Sequence, residues 1–291
     1  MRAIGIDIGG TSAKLAAIQG DRTLTVRSAE YANPGPAELL RLVRQAAADL
    51  REQSNATEWG AVGLCVPGKL NPGRTRVEYS VNLPSLQQID LADLAPSERQ
   101  RGSALFLASD AFAAAFGYWN LHRPGGRLLA ISIGTGVGAS VLDDGKPVLI
   151  TGETPGYFGQ IEVGEDNGRP VTLEETIGAK GLRARDARFL ESMPSWSEQT
   201  PTLRGLIRGL RIAHAIYRPD TIALLGYVGM KLASVKTHIE RGVNQGLTRV
   251  ANPNWSLVFG DSPFLAAIGV AQLALTRARP EVSSAPDPRG Q

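Results

Sequence analysis

The sequence is poor in the residues that build most metal and redox centres. One cysteine, Cys65, occurs in 291 residues, which excludes an intrachain disulfide framework and a Cys-rich zinc cluster. Cys65 sits in the apolar run Ala61 to Val66 and reads as a core residue. The three histidines, His122, His214 and His238, are scattered. None shares a metal-ligand spacing with another, so surface or helix-packing roles are expected. No Gly-x-Ser-x-Gly elbow is present, which leaves a Ser/His/Asp hydrolase unsupported. No apolar stretch approaches the roughly 18 residues of a membrane span. Met1 to Asp7 runs straight into an apolar strand without an export signal, so a cytoplasmic protein is expected. The net charge is +3, partly from Arg277, Arg279 and Arg289. No basic run is long enough to track a nucleic-acid backbone, so neither a nucleic-acid nor a membrane partner is expected.

What is there is ordinary globular composition, with 43% apolar and 20% charged residues. The length suits two domains of roughly 100–200 residues. Ala3 to Asp7 reads as a strand ending in an acid, Gly9-Gly10 as a turn, and Ala13 to Ile18 as a returning strand. Gly20-Asp21 is a hairpin signal before a third strand, Thr23 to Ala29. Pro34 to Gln53 carries Leu39, Val43, Ala46 and Leu50 at helical spacing. Ala61 to Val66 is a buried strand broken at Pro67-Gly68, and Ala104 to Leu107 a short strand. Ser109-Asp110 opens a small-residue helix, Ala111 to Trp119. The opening pattern then recurs: strand Leu128 to Ile133, glycine turn Gly134 to Gly138, strand Ala139 to Leu142, hairpin turn Asp144-Gly145, strand Pro147 to Ile150. The two copies lie about 125 residues apart, as a duplicated sheet-plus-loop unit with a cleft between the copies would require. A helix-rich stretch (Leu173 to Arg218), a strand (Thr221 to Leu225), a Gly226 to Gly229 turn, a helix and a final apolar helix (Phe264 to Ala278) complete the chain. The Pro/Ser-rich segment 280–291 reads as a disordered tail.

Each glycine loop bears a threonine and follows a buried strand. Bare backbone N–H groups can approach phosphate oxygens closely, and a threonine hydroxyl adds a donor. Tight hairpins alone would also explain the glycines, but two such loops favour phosphate binding. Asp7, at the mouth of the first loop, suits a Mg²⁺ contact through water, or simply caps the turn. Asp110 is the general-base candidate, because phosphoryl transfer to an alcohol needs a carboxylate to take the hydroxyl proton. Capping of the helix by Asp110 or Ser109 is the competing explanation.

Taken in order, these segments resemble the ROK (repressor, open reading frame, kinase) family of sugar kinases, from residue 3 to about 278. Asp7-Ile8-Gly9-Gly10-Thr11-Ser12 resembles the family's first phosphate loop, and Ile133-Gly134-Thr135-Gly136-Val137-Gly138 its second. Val66-Pro67-Gly68 through Asn82-Leu83-Pro84 is similar to the segment bordering the sugar. Ser109-Asp110-Ala111 resembles the motif bearing the catalytic aspartate, Gly226 to Gly229 the adenosine-side turn, and Gly260-Asp261 with the following helix the terminus that packs back on the first domain. The resemblance implies an α/β, two-domain actin/hexokinase-like ATPase fold, ribonuclease-H-like with mixed sheets. The expected division is a small domain of residues 1–112 plus a C-terminal helix at about 263–279, and a large domain of residues 113–262. ATP and Mg²⁺ are the implied cofactors. Asp7, Gly9, Gly10, Thr11, Lys14, Thr135, Gly136, Gly226 and Gly229 would hold them. Gly68, Asn82, Ser109, Asp110, Tyr157, Gln160 and Glu174 would face the acceptor, a sugar or sugar-like small molecule. A homodimer is also implied.

The departures fall on the acceptor side. The family's Glu-x-Gly-His segment aligns with Tyr157-Phe158-Gly159-Gln160, so both polar readers are replaced. The asparagine before the catalytic aspartate is Ser109. The zinc motif is absent, since Gly168 to Leu173 holds no cysteine. Glu174 still matches a sugar-binding carboxylate. A site that reads hydroxyls by hydrogen bonds discriminates strongly between hydroxyl patterns, so the acceptor is expected to differ at that end. A cyclitol kinase is the alternative to a hexose kinase. Tyr157 would stack on a ring or fill space. The rivals are a non-catalytic sugar sensor and a repressor, whose helix-turn-helix has no room before Asp7.

Overall fold

A computed structural model describes residues 1–80, 82–100, 103, 105–150, 155–249 and 251–278. In chain order the elements are β1 (Arg2–Ile8), β2 (Ala13–Gln19), β3 (Arg22–Arg27), α1 (Pro36–Ser54), β4 (Ala61–Cys65), β5 (Lys69–Leu70), β6 (Val77–Tyr79), β7 (Leu105–Ala108), α2 (Asp110–His122), β8 (Arg127–Ile133), β9 (Val137–Asp143), β10 (Lys146–Pro147), β11 (Glu162–Asp166) and β12 (Arg169–Thr172). They continue with α3 (Leu173–Ile177), α4 (Ala179–Arg185), α5 (Phe189–Ser192), α6 (Pro201–Tyr217), β13 (Thr221–Leu225), α7 (Gly226–Lys231), α8 (Lys236–Asn244), β14 (Ser256–Phe259) and α9 (Leu265–Ala278).

Two mixed five-stranded sheets carry the molecule, ordered β3-β2-β1-β4-β7 and β10-β9-β8-β13-β14. Both have the same pairing. The first three strands are antiparallel and the last two join in parallel. The duplication legible in the sequence is therefore a duplication of topology. Both hairpin signals form turns with left-handed backbone, Gly20 (φ +60°) in the first unit and Asp144 (φ +45°) with Gly145 (φ +80°) in the second. Paired positive φ values match the right-handed twist of the flanking strands.

β1 is buried along almost its whole length because both faces are covered. Ile4, Ile6, Ile8 and Leu15 join Leu39, Val43 and Leu50 of α1 on one face, while Ala3, Ala16 and Ile18 meet Ala267 and Ala271 of α9 on the other. The apolar stripe of α1 buries Leu39, Leu42, Val43, Ala46 and Leu50. Pro36 starts this helix and Asn55, in the left-handed region, ends it. The second sheet is covered on one face by α6 and α3, through Leu206, Leu210, Leu173 and Ile177. On its other face Ala114, Ala115 and Tyr118 of α2 pack on Leu128, Ala130 and Leu142. The histidines take the packing and surface roles expected of them. His214 is buried edge-on against Trp255, 4.8 Å between ring centres, and burial lowers its pKa. His122 lies 3.2 Å from Asp261, and His238 lies 2.8 Å from Glu198. Cys65 is fully buried.

α2 follows the first sheet in sequence but packs on the second, and α9 follows the second sheet but packs on the first. The two helices cross between the sheets so closely that backbone meets backbone at Gly117 and Gly269, and Asn120 donates to Gln272 across the crossing at 2.9 Å. A methyl group at Gly269 would overlap the Ala113 carbonyl, and one at Gly117 would overlap the Leu265 carbonyl.

Several boundaries differ from the sequence expectations. The strand expected from Ala104 is β7, described from Leu105. β3 stops at Arg27 rather than Ala29. The strand expected over Pro147 to Ile150 is reduced to β10, beyond which one further bond to β9 forms, from the Val148 N–H to the Val141 carbonyl at 2.9 Å. The Gly226 to Gly229 turn is instead the first turn of α7. Gly226 alone is left-handed (φ +76°), and the helix begins there. The tail, 280–291, lies outside the described residues.

The α2–α9 contact yields a stability prediction. Gly269→Ala should lower the unfolding free energy by about 1–3 kcal/mol or more, the usual cost of overpacking. Gly125→Ala, with open space around it, should stay within about 0.5 kcal/mol. Urea denaturation of both variants checks this.

Candidate active site

β1 delivers Asp7 to the end of the first sheet, where it is 7% exposed and lies 3.5 Å from the Lys14 ammonium across the hairpin. The loop that follows is closed by the Gly9 N–H donating to the Ser12 carbonyl at 3.1 Å. Three further bonds brace it from a segment for which the sequence offered no role. The Tyr31 hydroxyl donates to the Gly9 carbonyl (2.7 Å), the Tyr31 N–H donates to the Thr11 carbonyl (2.9 Å), and the Ala13 N–H donates to the Ser28 hydroxyl (2.9 Å). Burial, with Asp7 close by, pushes the Tyr31 phenol well above its usual range, so it stays a donor. The only sequence signal was position, just past β3. The Gly10 and Thr11 amides have no partner among the described residues.

The second loop, Gly134 to Gly136, is held as firmly. Gly134 N–H donates to the Gly136 carbonyl (3.0 Å), Ala179 N–H to the Gly134 carbonyl (2.8 Å) and Lys180 N–H to the Thr135 carbonyl (3.3 Å). The Thr135 and Gly136 amides have no partner among the described residues. The two loops face each other. A β-carbon at Gly10 would sit 3.4 Å from the Thr135 hydroxyl oxygen and 3.8 Å from Asn82. Gly226 joins them from α7, since a β-carbon there would lie 2.6 Å from the Ile133 carbonyl just ahead of the second loop. Gly229 packs on the backbone of Leu224.

Asp110 stands at the start of α2, and Ala111 after it abuts Gly138 beyond the second loop. Ser109, not Asp110, is the helix cap: its hydroxyl accepts from Phe112 N–H at 3.3 Å. One Asp110 carboxylate oxygen accepts the N–H of Ala111 (2.8 Å). Asp110 is exposed to solvent, although enough protein packs around its carboxylate to disfavour the charged form. That desolvation, and then the negative charge of Asp7, push the Asp110 carboxyl up to about 6, against the Ala111 N–H bond and Lys14, which lower it.

The acceptor-side residues divide. Gly68 (φ +117°) is pressed on the backbone of Tyr79, so its lack of a side chain is structural. Asn82 lies beside Gly10. Tyr157 is 76% exposed, so it does not fill space, and Gln160 is exposed. Gly159 between them rests against the Val137 backbone. Glu174 accepts the Val137 N–H at 2.8 Å and thus touches the second glycine loop, a contact the sequence did not indicate. Among the described residues no three His, Cys, Asp or Glu side chains converge as a metal site, and no helix is long and apolar enough to cross a membrane.

The ROK family profile matches residues 3–195. This chain belongs to the ROK family. A glucokinase from Thermotoga maritima is 27% identical over 156 residues, 52% of this chain and 47% of that protein. The chain thus aligns with about half the length of that curated relative. The ROK family glucokinase from Streptomyces griseus, in complex with glucose and AMPPNP, superposes with a TM-score of 0.71 at 18% identity, covering 95% of this chain and 100% of the other. A ROK family transcriptional regulator, a homologue of the E. coli MLC protein, superposes with a TM-score of 0.70 at 15% identity, covering 95% and 79%. The fold is the hexokinase-like ATPase fold of the ROK proteins, and both sugar kinases and regulators share it.

The raised Asp110 carboxyl implies a pH-dependent cost to stability. A folded-state carboxyl near 6, against 3.8 ordinarily, binds its proton more tightly than in the unfolded chain. Stability therefore falls as pH rises from about 4 to about 6, and the cost persists above that. Asp110→Asn should melt at a higher temperature than the parent at pH 7.5, and the difference should vanish below pH 4. Thermal denaturation across that range checks both halves.

Proposed function

We propose that this chain is an ATP-dependent kinase that transfers the γ-phosphate to a hydroxyl of a sugar or sugar-like molecule. One observation carries the reading. A carboxylate held above its ordinary pKa range, Asp110, stands near two glycine loops whose unpartnered amides face each other. Backbone donors with no protein partner suit phosphate oxygens, and a carboxylate with a pKa near neutrality suits proton abstraction at physiological pH.

In the proposed reaction the acceptor O–H gives its proton to Asp110. The oxygen attacks the γ-phosphorus in line, the bond to the β-phosphate oxygen breaks, and ADP leaves. The amides of Gly10, Thr11, Thr135 and Gly136 orient the phosphates, Gly9 shapes the first loop because its own N–H is spent on the Ser12 carbonyl, Lys14 lies beside them, and Gly226 and Gly229 border the nucleoside. Tyr31 keeps the first loop in shape. Asp7 offers the hard carboxylate oxygens that Mg²⁺ prefers. With no group of three acidic side chains converging there among the described residues, Asp7 would hold the ion through water, and phosphate oxygens would supply the rest. When bound, that ion neutralises charge developing on the phosphates.

The two sheets are proposed as two domains, residues 1–112 with about 263–279, and residues 113–262, which close to exclude water from the transfer. A homodimer belongs to the same reading and rests on family membership. For the acceptor, exposed Tyr157 and Gln160 stand where the family carries Glu and His. The aromatic face of Tyr157 is free to lie against a ring, which supports a cyclitol, or a sugar modified at that end, as strongly as an unmodified hexose.

ADP release measured across sugars, amino sugars and cyclitols should show turnover with a small subset, and a flat panel would sink the kinase reading. With an accepted substrate, Asp110→Asn should lower kcat by about 10²–10⁴-fold, the usual worth of a positioned base. The parent's kcat/KM should fall about tenfold per pH unit below about pH 6, where Asp110 takes up its proton. Near-parental turnover by correctly folded Asp110→Asn would remove it from the base role.

A further inference from the structure

Glu174 makes a contact that an acceptor-reading residue does not need. One carboxylate oxygen, Oε2, accepts the Val137 N–H at 2.8 Å, at the point where the second glycine loop enters β9. The other, Oε1, has no partner among the described residues. The fit is close. A β-carbon at Gly136 would lie 2.5 Å from Oε2, so only glycine leaves room for the carboxylate there. The backbone around Glu174 is tied to the same loop. Gly178 N–H donates to the Glu174 carbonyl (2.9 Å), a β-carbon at Gly178 would lie 3.1 Å from the Thr135 carbonyl oxygen, and the Ala179 and Lys180 amides donate to the Gly134 and Thr135 carbonyls.

Glu174 is held by its own helix as well. It lies in the first turn of α3, whose start is fixed by a reciprocal cap between Thr172 and Glu175. Arg169 holds the Glu175 carboxylate at 2.8 Å, and Arg185 donates to the Glu175 and Thr176 carbonyls. The carboxylate therefore projects from an anchored turn onto a loop whose Thr135 and Gly136 amides are left for a ligand.

We infer that Glu174 is a positioning residue that couples the two substrates: Oε2 fixes the second glycine loop through Val137 N–H while Oε1 takes a hydroxyl of the acceptor. An acceptor hydroxyl on Oε1 holds the carboxylate still, and the carboxylate then holds the loop in its phosphate-binding shape. Acceptor and nucleotide would each bind more tightly when the other is present, by the same factor. This rests on the proposed kinase reading and adds to it a thermodynamic link between the acceptor and phosphate sites.

The test is calorimetric titration of the full chain with AMPPNP, with and without saturating acceptor, the acceptor being one that turns over. Hydrogen exchange at the Val137 amide is followed in parallel without any ligand. The parent should show tightening of about 5–150-fold, the usual span of such coupling. Glu174→Ala should bring the factor to about 1, weaken AMPPNP binding even without acceptor, and speed Val137 exchange. Glu174→Gln, which keeps an oxygen for Val137 N–H, should retain slow exchange and part of the coupling. Two results would overturn the inference: Glu174→Ala losing only acceptor affinity while coupling persists, or a parent that binds both ligands without coupling. A parent that binds no nucleotide would fail differently, because it would remove the kinase reading itself.

Discussion

Backbone-to-backbone contact between α2 and α9 is the constraint on which the rest of this molecule depends. Each helix belongs in sequence to one sheet and packs on the other, so their crossing fixes how the sheets meet. The contact is close: Gly117 and Gly269 admit the opposing carbonyls, Ala113 packs with Val270 and Leu273, Asn120 bonds Gln272, and Gly5 and Gly63 let α9 lie directly on β1 and β4. A side chain at Gly117 or Gly269 would push the sheets apart. The distance that matters lies at the far end of this lever, where a β-carbon on Gly10 of the first loop would lie 3.4 Å from the Thr135 hydroxyl oxygen of the second. Two sets of unpartnered amides facing each other suit an anion that spans them.

Asp110 is placed by the same arrangement. It opens α2, so the crossing that seats α2 on the second sheet also carries this carboxylate to the join between the loops. Ser109 takes over the capping and Asp110 is left with one oxygen free of a backbone bond. A desolvated carboxylate beside Asp7 is an unfavourable arrangement that packing elsewhere must offset. The bonds from Tyr31 and Ser28, which stiffen the first loop, are part of that support.

Much of this was legible in the sequence, for physical reasons. The duplicated topology showed because each copy repeats a buried strand, a glycine loop and a hairpin turn, and left-handed backbone restricts the residues allowed there. Asp110 stood out because an acid between a buried strand and a helix faces a cleft end. What was hidden was relational. Nothing local in Tyr31 shows that its hydroxyl reaches back to the Gly9 carbonyl, or in Glu174 that its carboxylate lies on Val137. Periodicity does not show the exchange of α2 and α9 between sheets, since a small-residue helix looks the same whichever surface it covers; the family resemblance alone placed the C-terminal helix on the first domain. The short β10 was misjudged because an apolar run carries no record of how far a neighbouring strand pairs with it. Gly226 was read as the start of a turn because one left-handed residue followed by a helix has the same glycine signature.

The central claim is that the two glycine loops form one phosphate site. Residue-resolved hydrogen exchange, with and without AMPPNP and Mg²⁺, tests it most directly. The account predicts that the amides of Gly10 and Thr11 and those of Thr135 and Gly136 slow together, at the same nucleotide concentration. Protection confined to one loop, or to neither, would contradict it.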